Sequence, residues 1–388
     1  VLYYQDTGSI AFDYIGLTSL AGGLILVAFG IKSAFPLLHN WVQDAYPEAT
    51  VTGTVILSAF TTKLAIYALA RAFPGTDILI PIGGAMIILP IIYVVLENDL
   101  RRVLAYSLNS QLGYMVIGVG IGTELALNGT AAHVFVHIMY KSLLFMCMGA
   151  VLFRTGTVKV TELGGLYKSM PVTTVFCLIG AVSIAAFPLT GGFVSKAMIQ
   201  SAALNGGLNI IWPVMLFACA GIMDHSGLKV PFFTFFSKDR GIRVQEAPVN
   251  MLIAMGIAAF FCIGIGVFPG LLFELLPYAP TYNPYSFGHI VSALQLLLFA
   301  VLAFMLLIRF KVYPSELRST NLDFDWFYRV PLKRLILAIG RLILIVWDWS
   351  LGIANHVLRY FIGIVNETHS SGKVMARTTA SSTAVVII

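Results

Sequence analysis

Of the 388 residues, 58% are hydrophobic and only 11% are charged, and the mean hydropathy is +0.88. A soluble domain carries about a quarter charged residues, so this chain cannot cover a water-facing surface, whereas lipid requires no charge. The net charge of +6 sits mostly in the connections between apolar runs, as membrane topology places it, and gives no argument for nucleic acid.

The apolar runs reach about 18 residues or more without alternating, which defines a polytopic helical membrane protein and excludes a transmembrane β-barrel. The expected fold is an all-α transmembrane bundle of roughly 9 to 10 spans. "VLYYQDTGSIAFDYIG" shows no initiator Met, charged n-region or signal-peptide pattern, so the chain reads as starting mid-protein. Spanning segments are then expected at Tyr14–Phe35, Val51–Phe73, Ile78–Leu96, Leu104–Ile121, Thr130–Phe153, Val172–Asn205, Ile210–Met223, Met251–Phe268 and Ile290–Ile308. Cys147, Cys177, Cys219 and Cys262 are isolated inside these segments. They read as small core residues, not a disulfide framework or a metal site.

Val172–Asn205 is too long for one ordinary crossing and is interrupted by "FPLTGGF". Loop charges arbitrate. The connections with Arg101 and Arg102, with Arg154, Lys159 and Lys168, with Lys229, Lys238, Arg240 and Arg243, and with Arg309 and Lys311 are basic. Those near Glu124, Gly206–Asn209 and Glu274 hold no Lys or Arg. All basic connections fall on one face only if Val172–Asn205 crosses once, as a broken helix. The acidic connection with Asp44 and Glu48 then lies on the basic, cytoplasmic face, a mild exception.

After Ile308 the chain turns polar and aromatic ("VYPSELRSTNLDFDWFYRVPLKR"), as in an interfacial linker. The following "LILAIGRLILIVWDWSLGIANHVLRYFIGIV" spreads Arg341, Asp348, His356 and Arg359 through an apolar background. It reads as an amphipathic helix along the membrane or against a partner, with a tenth span as the alternative. The expected division is a bundle over 1–310, an interfacial segment with this helix over 311–366, and a poorly ordered tail over 367–388 with an apolar end.

The apolar segments also carry titratable groups. Lys32 ends "LAGGLILVAFGIK", Lys63 sits in "TVILSAFTTKLAIYALA", and Lys196 follows the Gly-Gly break in "LTGGFVSKAMI". A lysine near a helix end can snorkel to the interface, which is the plain account of Lys32 and Lys196. Lys63 and Lys141 lie deep within their runs, where an ionised lysine costs several kcal/mol. His133, His137 and Lys141 follow one another at four-residue spacing and share one helix face, drifting by about 40° per step. Such a stripe suits a water-lined proton path, because imidazole exchanges protons near neutral pH and burial brings a lysine toward that range. Metal binding by the His pair is the weaker reading, since Lys141 repels a cation and no carboxylate or Cys is near in sequence. Pro188, Gly191 and Gly192 let the chain leave helical geometry, as at the ion sites of discontinuous transporter helices; a simple proline kink is the structural alternative. No Cys cluster, phosphate loop or Ser–His–Asp signature is present, so redox cofactors would belong to partners.

At these residues the chain resembles the antiporter-like, proton-translocating subunits shared by respiratory complex I, Mrp cation/proton antiporters and membrane-bound hydrogenases. "IKSAFPLLHNWVQDAYPEATVTGTVILSAFTTKLAIYALAR", "ENDLRRVLAYSLNSQLGYM", "HVFVHIMYKSLLFMCMGA" and "FPLTGGFVSK" are similar to that family's motifs, in order, over about residues 15–270. Val42–Gln43 stands where the family usually has Leu-Pro, and the proline comes early, at Pro36. The resemblance implies a proton path through Lys32, Lys63, His133, His137, Lys141 and Lys196. Lys32 would pair with a glutamate on a helix earlier than this chain begins, and Lys196 would lead to one bulk phase. It implies an integral, multi-pass protein of a bacterial or archaeal cytoplasmic membrane, set among other membrane subunits and lipid. Catalysis would belong only to the larger complex, with no cofactor or metal in this chain and iron–sulfur or quinone groups in partner subunits. Three functions follow as expectations: proton translocation coupled to a redox arm, Mrp-type Na+/H+ antiport without one, or a non-pumping scaffold.

Overall fold

The computed structural model describes residues 1–279, 281–313 and 323–369. These divide into one unit spanning Val1–Asp323 and a second beginning at Phe324. Among the described residues there is no β-strand; one isolated antiparallel bridge joins Asp99 and Lys159.

In the first unit the helices are α1 (Leu2–Thr7), α2 (Leu20–Lys32), α3 (Asn40–Glu48), α4 (Val51–Ile56), α5 (Thr62–Ala72), α6 (Leu79–Leu96), α7 (Leu100–Ile121), α8 (Glu124–Thr155), α9 (Pro171–Ile184), α10 (Gly191–Asn205), α11 (Ile211–Ile222), α12 (Val249–Val267), α13 (Gly270–Phe273) and α14 (Phe287–Arg309). A π-helical turn, Leu57–Thr61, joins α4 to α5, and two more, Met223–Lys229 and Phe232–Phe236, prolong α11. Local chemistry sets the ends. Ser19, Thr50, Thr123 and Ser286 cap α2, α4, α8 and α14 by accepting a backbone N–H, and α9 opens on Pro171. Gly122 and Gly156 close α7 and α8 in the left-handed conformation.

Among the described residues, seven helical stretches are long and apolar enough to cross a membrane: Val51–Ala72, Leu79–Leu96, Glu124–Thr155, Ile211–Phe236, Val249–Val267, Phe287–Arg309 and Asp325–Thr368. Of the other expected crossings, α2 and α9 are short, and α7 is too polar. That polarity has a cause: all of α7 except Arg102 and Ile121 is buried, so it faces protein and not lipid. It packs against α6 through glycine. A Cβ on Gly83 would lie 2.8 Å from the Gly113 carbonyl oxygen, and one on Gly113 would lie 2.7 Å from that of Gly83, the close backbone approach that small residues allow between membrane helices.

Two expectations are corrected here. Arg101 and Arg102 are not in a loop: Asp99 caps α7 by accepting their backbone N–H groups, so both sit in its first turn. There Arg101 donates to the carbonyls of Pro47 and Ala49, and Arg102 pairs with Asp44 at 3.3 Å. The acidic connection is thus held by the arginines of the basic one, which resolves the topological exception. Lys229 is not in a loop either. The crossing expected to end at Met223 runs on through the π-helical turns to Phe236, and Lys229 is fully buried within it.

The two breaks are built alike. "AFPL" occurs at Ala34–Leu37 and again at Ala186–Leu189. In both copies the alanine and the leucine have positive φ, 64° and 72° in the first, 64° and 70° in the second. The backbone bonds match one for one: Ala34 to Ile31, Phe35 to Gly30 and Leu38 to Phe35 in the first, Ala186 to Ser183, Phe187 to Val182 and Thr190 to Phe187 in the second. The early proline therefore makes the same turn twice, separating α2 from α3 and α9 from α10. The Val172–Asn205 segment is a broken helix, as its loop charges require.

The second unit contains α15 (Asp325–Phe327), a π-helical turn Tyr328–Leu332 and α16 (Lys333–His369). At 1.5 Å per residue α16 is roughly 55 Å long, well beyond the ~30 Å hydrocarbon layer. The expected interfacial linker falls partly, and the expected tail largely, outside the described residues.

Candidate functional site

Lys63, Lys141 and Lys196 are 3%, 0% and 1% exposed, and His133 and His137 are fully buried. Lys32 is different: it ends α2 with its side chain exposed and is not joined to the others. Among the described residues, none of Lys63, Lys141 and Lys196 pairs with a carboxylate. Each ammonium is met by a neutral oxygen freed by helix irregularity or offered by a hydroxyl. Lys63 donates to the Ser58 carbonyl inside the π-helical turn, where the regular ladder is interrupted. Lys141 donates to the Ser107 hydroxyl on α7, and its Nζ lies 5.9 Å from the Phe145 ring centre. Lys196 donates at 2.7 Å to the carbonyl of Ile184, the last residue of α9, with its Nζ 5.4 Å from the Tyr114 ring centre. The break thus supplies an unpaired carbonyl at the negative end of one half-helix to a lysine on the next.

Between the lysines lies a chain of polar and aromatic groups. His133 Nδ1 is 2.9 Å from Ser195 Oγ, and Nε2 is 3.1 Å from Gln111 Oε1, which also accepts from the Tyr140 hydroxyl at 3.1 Å. With Oε1 as acceptor, His133 carries its proton on Nε2, and Nδ1 receives the Ser195 hydroxyl. The His137 ring centre is 6.1 Å from that of His133 and 5.2 Å from that of Tyr140. Neither ring nitrogen of His137 has a hydrogen-bond partner among the described residues. A fully buried imidazole with both nitrogens open is unusual, since buried polar atoms are ordinarily hydrogen-bonded.

The structure adds groups that the sequence reading did not single out. His225, on the π-helical turn after α11, is fully buried; Nδ1 lies 2.8 Å from Ser226 Oγ, and Nε2 has no hydrogen-bond partner among the described residues. Lys229, four residues on, donates to the carbonyls of Val94, Val95 and Glu97 at 3.1, 2.9 and 2.8 Å, closing the C-terminal end of α6. The signal was present: His225 and Lys229 repeat the spacing of the His133 stripe, but a span ended at Met223 hides it. His39 Nε2 pairs with Asp323 Oδ2 at 3.3 Å, and the Tyr106 hydroxyl donates to the same oxygen at 2.8 Å, both buried. No cluster of three His, Cys, Asp or Glu residues suited to a metal occurs among the described residues.

Helices broken by one repeated turn, with lysines and imidazoles buried along the bundle's interior, define an integral multi-pass protein of the antiporter-like class. Residues 1–223 match the model of the NADH:quinone oxidoreductase/Mrp antiporter transmembrane family, and the chain belongs to that family. It is 34% identical over 259 residues to an F(420)H(2) dehydrogenase subunit of Methanosarcina mazei, covering 62% of this chain and 38% of that protein. To a Na(+)/H(+) antiporter subunit of Alkalihalophilus pseudofirmus it is 32% identical over 268 residues, 64% of this chain and 54% of that one. The chain therefore spans about half or less of these relatives' lengths. The fold is shared with a chain of the membrane-bound sulfane sulfur reductase, an archaeal respiratory membrane complex: TM-score 0.65 at 24% identity, over 100% of this chain and 72% of that one.

Proposed function

We propose that this chain conducts protons through the membrane along Lys63, His137, His133, Lys141 and Lys196, as one subunit of a larger membrane complex. The observation that carries this reading is the burial of three lysines without a carboxylate partner beside imidazoles with open or hydroxyl-linked nitrogens. A structural ammonium is held by several fixed acceptors, as Lys229 is by three carbonyls; each of these three lysines has one neutral acceptor, which tolerates both forms. Coulomb coupling in a poorly solvated interior then lets a proton arriving at one lysine disfavour the charge on the next.

The His133–Ser195 bond gives one step a definite form. While His133 is neutral, the Ser195 hydroxyl donates to Nδ1. When a proton reaches Nδ1, that nitrogen donates to Ser195 Oγ, and the hydroxyl turns to the Gly191 carbonyl 3.2 Å away, at the start of α10. Protonation of the stripe is thereby felt at the break that holds Lys196.

Redox chemistry, where the complex has it, is assigned to partner subunits bearing iron–sulfur or quinone groups. The similarity to a Na(+)/H(+) antiporter subunit favours one second reading, cation/proton antiport without a redox arm. The test is proton movement by the purified complex in sealed vesicles, with Lys63→Ala against the unaltered chain. Loss of translocation with intact assembly supports the path, and an unchanged rate refutes it in favour of a scaffold. Mass spectrometry of the co-purifying subunits separates the redox-coupled reading from simple antiport.

A further inference from the structure

We propose that the cavity between α10, α11 and α14 is the aqueous end of this path and that His289 is its terminal proton relay, an inference that rests on the proton-path reading. The cavity has a volume of about 420 Å³ and is lined by Lys196, Gln200, Ser201, Cys219, His289 and Ser292 among others. A space of this size with hydroxyl, amide and imidazole groups in its wall holds several waters. Lys196 is buried, Ser201 is 9% exposed and His289 is half-buried, so exposure rises along the lining away from the lysine.

Direction follows from the chain. Ser201 lies toward the C-terminal end of α10 and His289 in the first turn of α14. The connections at those ends, 206–210 and 268–286, contain no Lys or Arg. The cavity therefore belongs to the face opposite the Arg154, Lys168 and Arg243 connections.

His289 is arranged for transfer through its ring. Its Nε2 lies 3.3 Å from Ser201 Oγ, its Nδ1 lies 3.1 Å from the Tyr282 hydroxyl, and these two oxygens are 3.0 Å apart. A proton leaving the Lys196 ammonium through cavity water or the Ser201 hydroxyl is accepted on one nitrogen of neutral His289. The imidazolium releases a proton from the other, toward Tyr282 and bulk water. Lys196 is left as the neutral amine and His289 as the other neutral tautomer, with a new N–H bond on the accepting nitrogen and one broken on the releasing nitrogen. One proton crosses, and proton exchange with water or a turn of the ring restores the starting tautomer. The relay shortens the distance a proton must travel in unanchored water between a buried lysine and the surface.

The experiment uses the assembled complex in sealed, oriented vesicles. His289→Ala is expected to lower proton translocation about tenfold or more, and imidazole added on the side opposite the basic connections is expected to restore much of it. Ser292→Cys is expected to react with a membrane-impermeant, charged maleimide from that side alone, above the labelling of the unaltered chain, whose Cys219 also lines the cavity. A wild-type rate in His289→Ala overturns the relay, and so does a lowered rate that imidazole leaves unchanged, since a purely structural histidine is not replaced by free imidazole. Absence of Ser292→Cys labelling overturns the aqueous cavity. Lys196→Ala separates the two proposals: if it too translocates at the wild-type rate, the proton path itself fails, whereas its loss beside an unaffected His289→Ala refutes only the relay.

Discussion

Lys141→Met separates function from stability, because the two effects have different sizes. Insertion scales put a lysine charge at the centre of a membrane helix at about 2.5–3.5 kcal/mol unfavourable. The bond to Ser107 recovers about 1.5–3 kcal/mol, as a hydrogen bond from a charged donor, and the ring of Phe145 adds about 0.5–1 kcal/mol. These terms nearly cancel. Methionine fills most of the lysine volume without its charge, and the freed Ser107 hydroxyl can turn to a carbonyl of its own helix. Folding stability is therefore expected to change by less than about 2 kcal/mol. Truncation to Ala would add a cavity cost of about 2–4 kcal/mol and confuse the result. Translocation, in contrast, is expected to be lost, because methionine cannot carry a proton. The assays are the unfolding midpoint of the purified protein in mixed detergent and proton movement by the assembled complex in vesicles. Translocation above half of the wild-type rate would sink the path. A stability loss beyond about 3 kcal/mol, the size expected when one partner of a buried ion pair is removed, would show that Lys141 has a structural counter-charge.

Gly113→Ala places a Cβ 2.7 Å from the Gly83 carbonyl oxygen and 3.0 Å from the Ile87 nitrogen, and overpacking of this kind costs about 1–3 kcal/mol. Gly264→Ala, whose Cβ meets only Phe260 at 4.0 Å, is the control; equal midpoints for the two would refute the glycine contact. On the basic face, Arg243 and then Lys168 hold the Asp239 carboxylate well below the usual range. A lowered folded-state value means that this contribution is full above the unfolded pKa of about 4 and fades only as pH falls through the lower folded one. Hydrogen-exchange protection of residues 237–246, corrected for intrinsic rates, is expected to be the same at about pH 7 and pH 4.5, and Asp239→Asn is expected to lower it at both. Loss of wild-type protection between those pH values would refute the pairing.

Much of this was legible in residues. Apolar runs locate crossings because lipid makes each span continuous, and the four-residue spacing of His133, His137 and Lys141 places them on one face whatever surrounds them. The broken helix was readable from Pro188 and the glycines, with loop charge deciding its single crossing. Less legible was any span whose neighbours are protein: α7 is polar because it is enclosed, and no periodicity reports that. Also hidden were the π-helical turns, which extend a crossing past Asp224, His225 and Lys229 where hydropathy falls. The burial of Asp323 against His39 and Tyr106 depends on contacts more than 200 residues apart along the chain, which no local pattern encodes.

The repeated turn has a mechanical consequence. Ala34, Leu37, Ala186 and Leu189 all occupy the left-handed region, where a side chain costs about 1–2 kcal/mol that glycine would avoid. Each break thus carries backbone strain, and the two strains match because the residues and their bonds match. Backbone tension then favours neither break over the other. What distinguishes the two is what touches them: at the first, the ring of Phe35 against Gly30; at the second, Gly266 of α12 pressed on the Leu189 carbonyl, and the lysine that holds the cut end of α9.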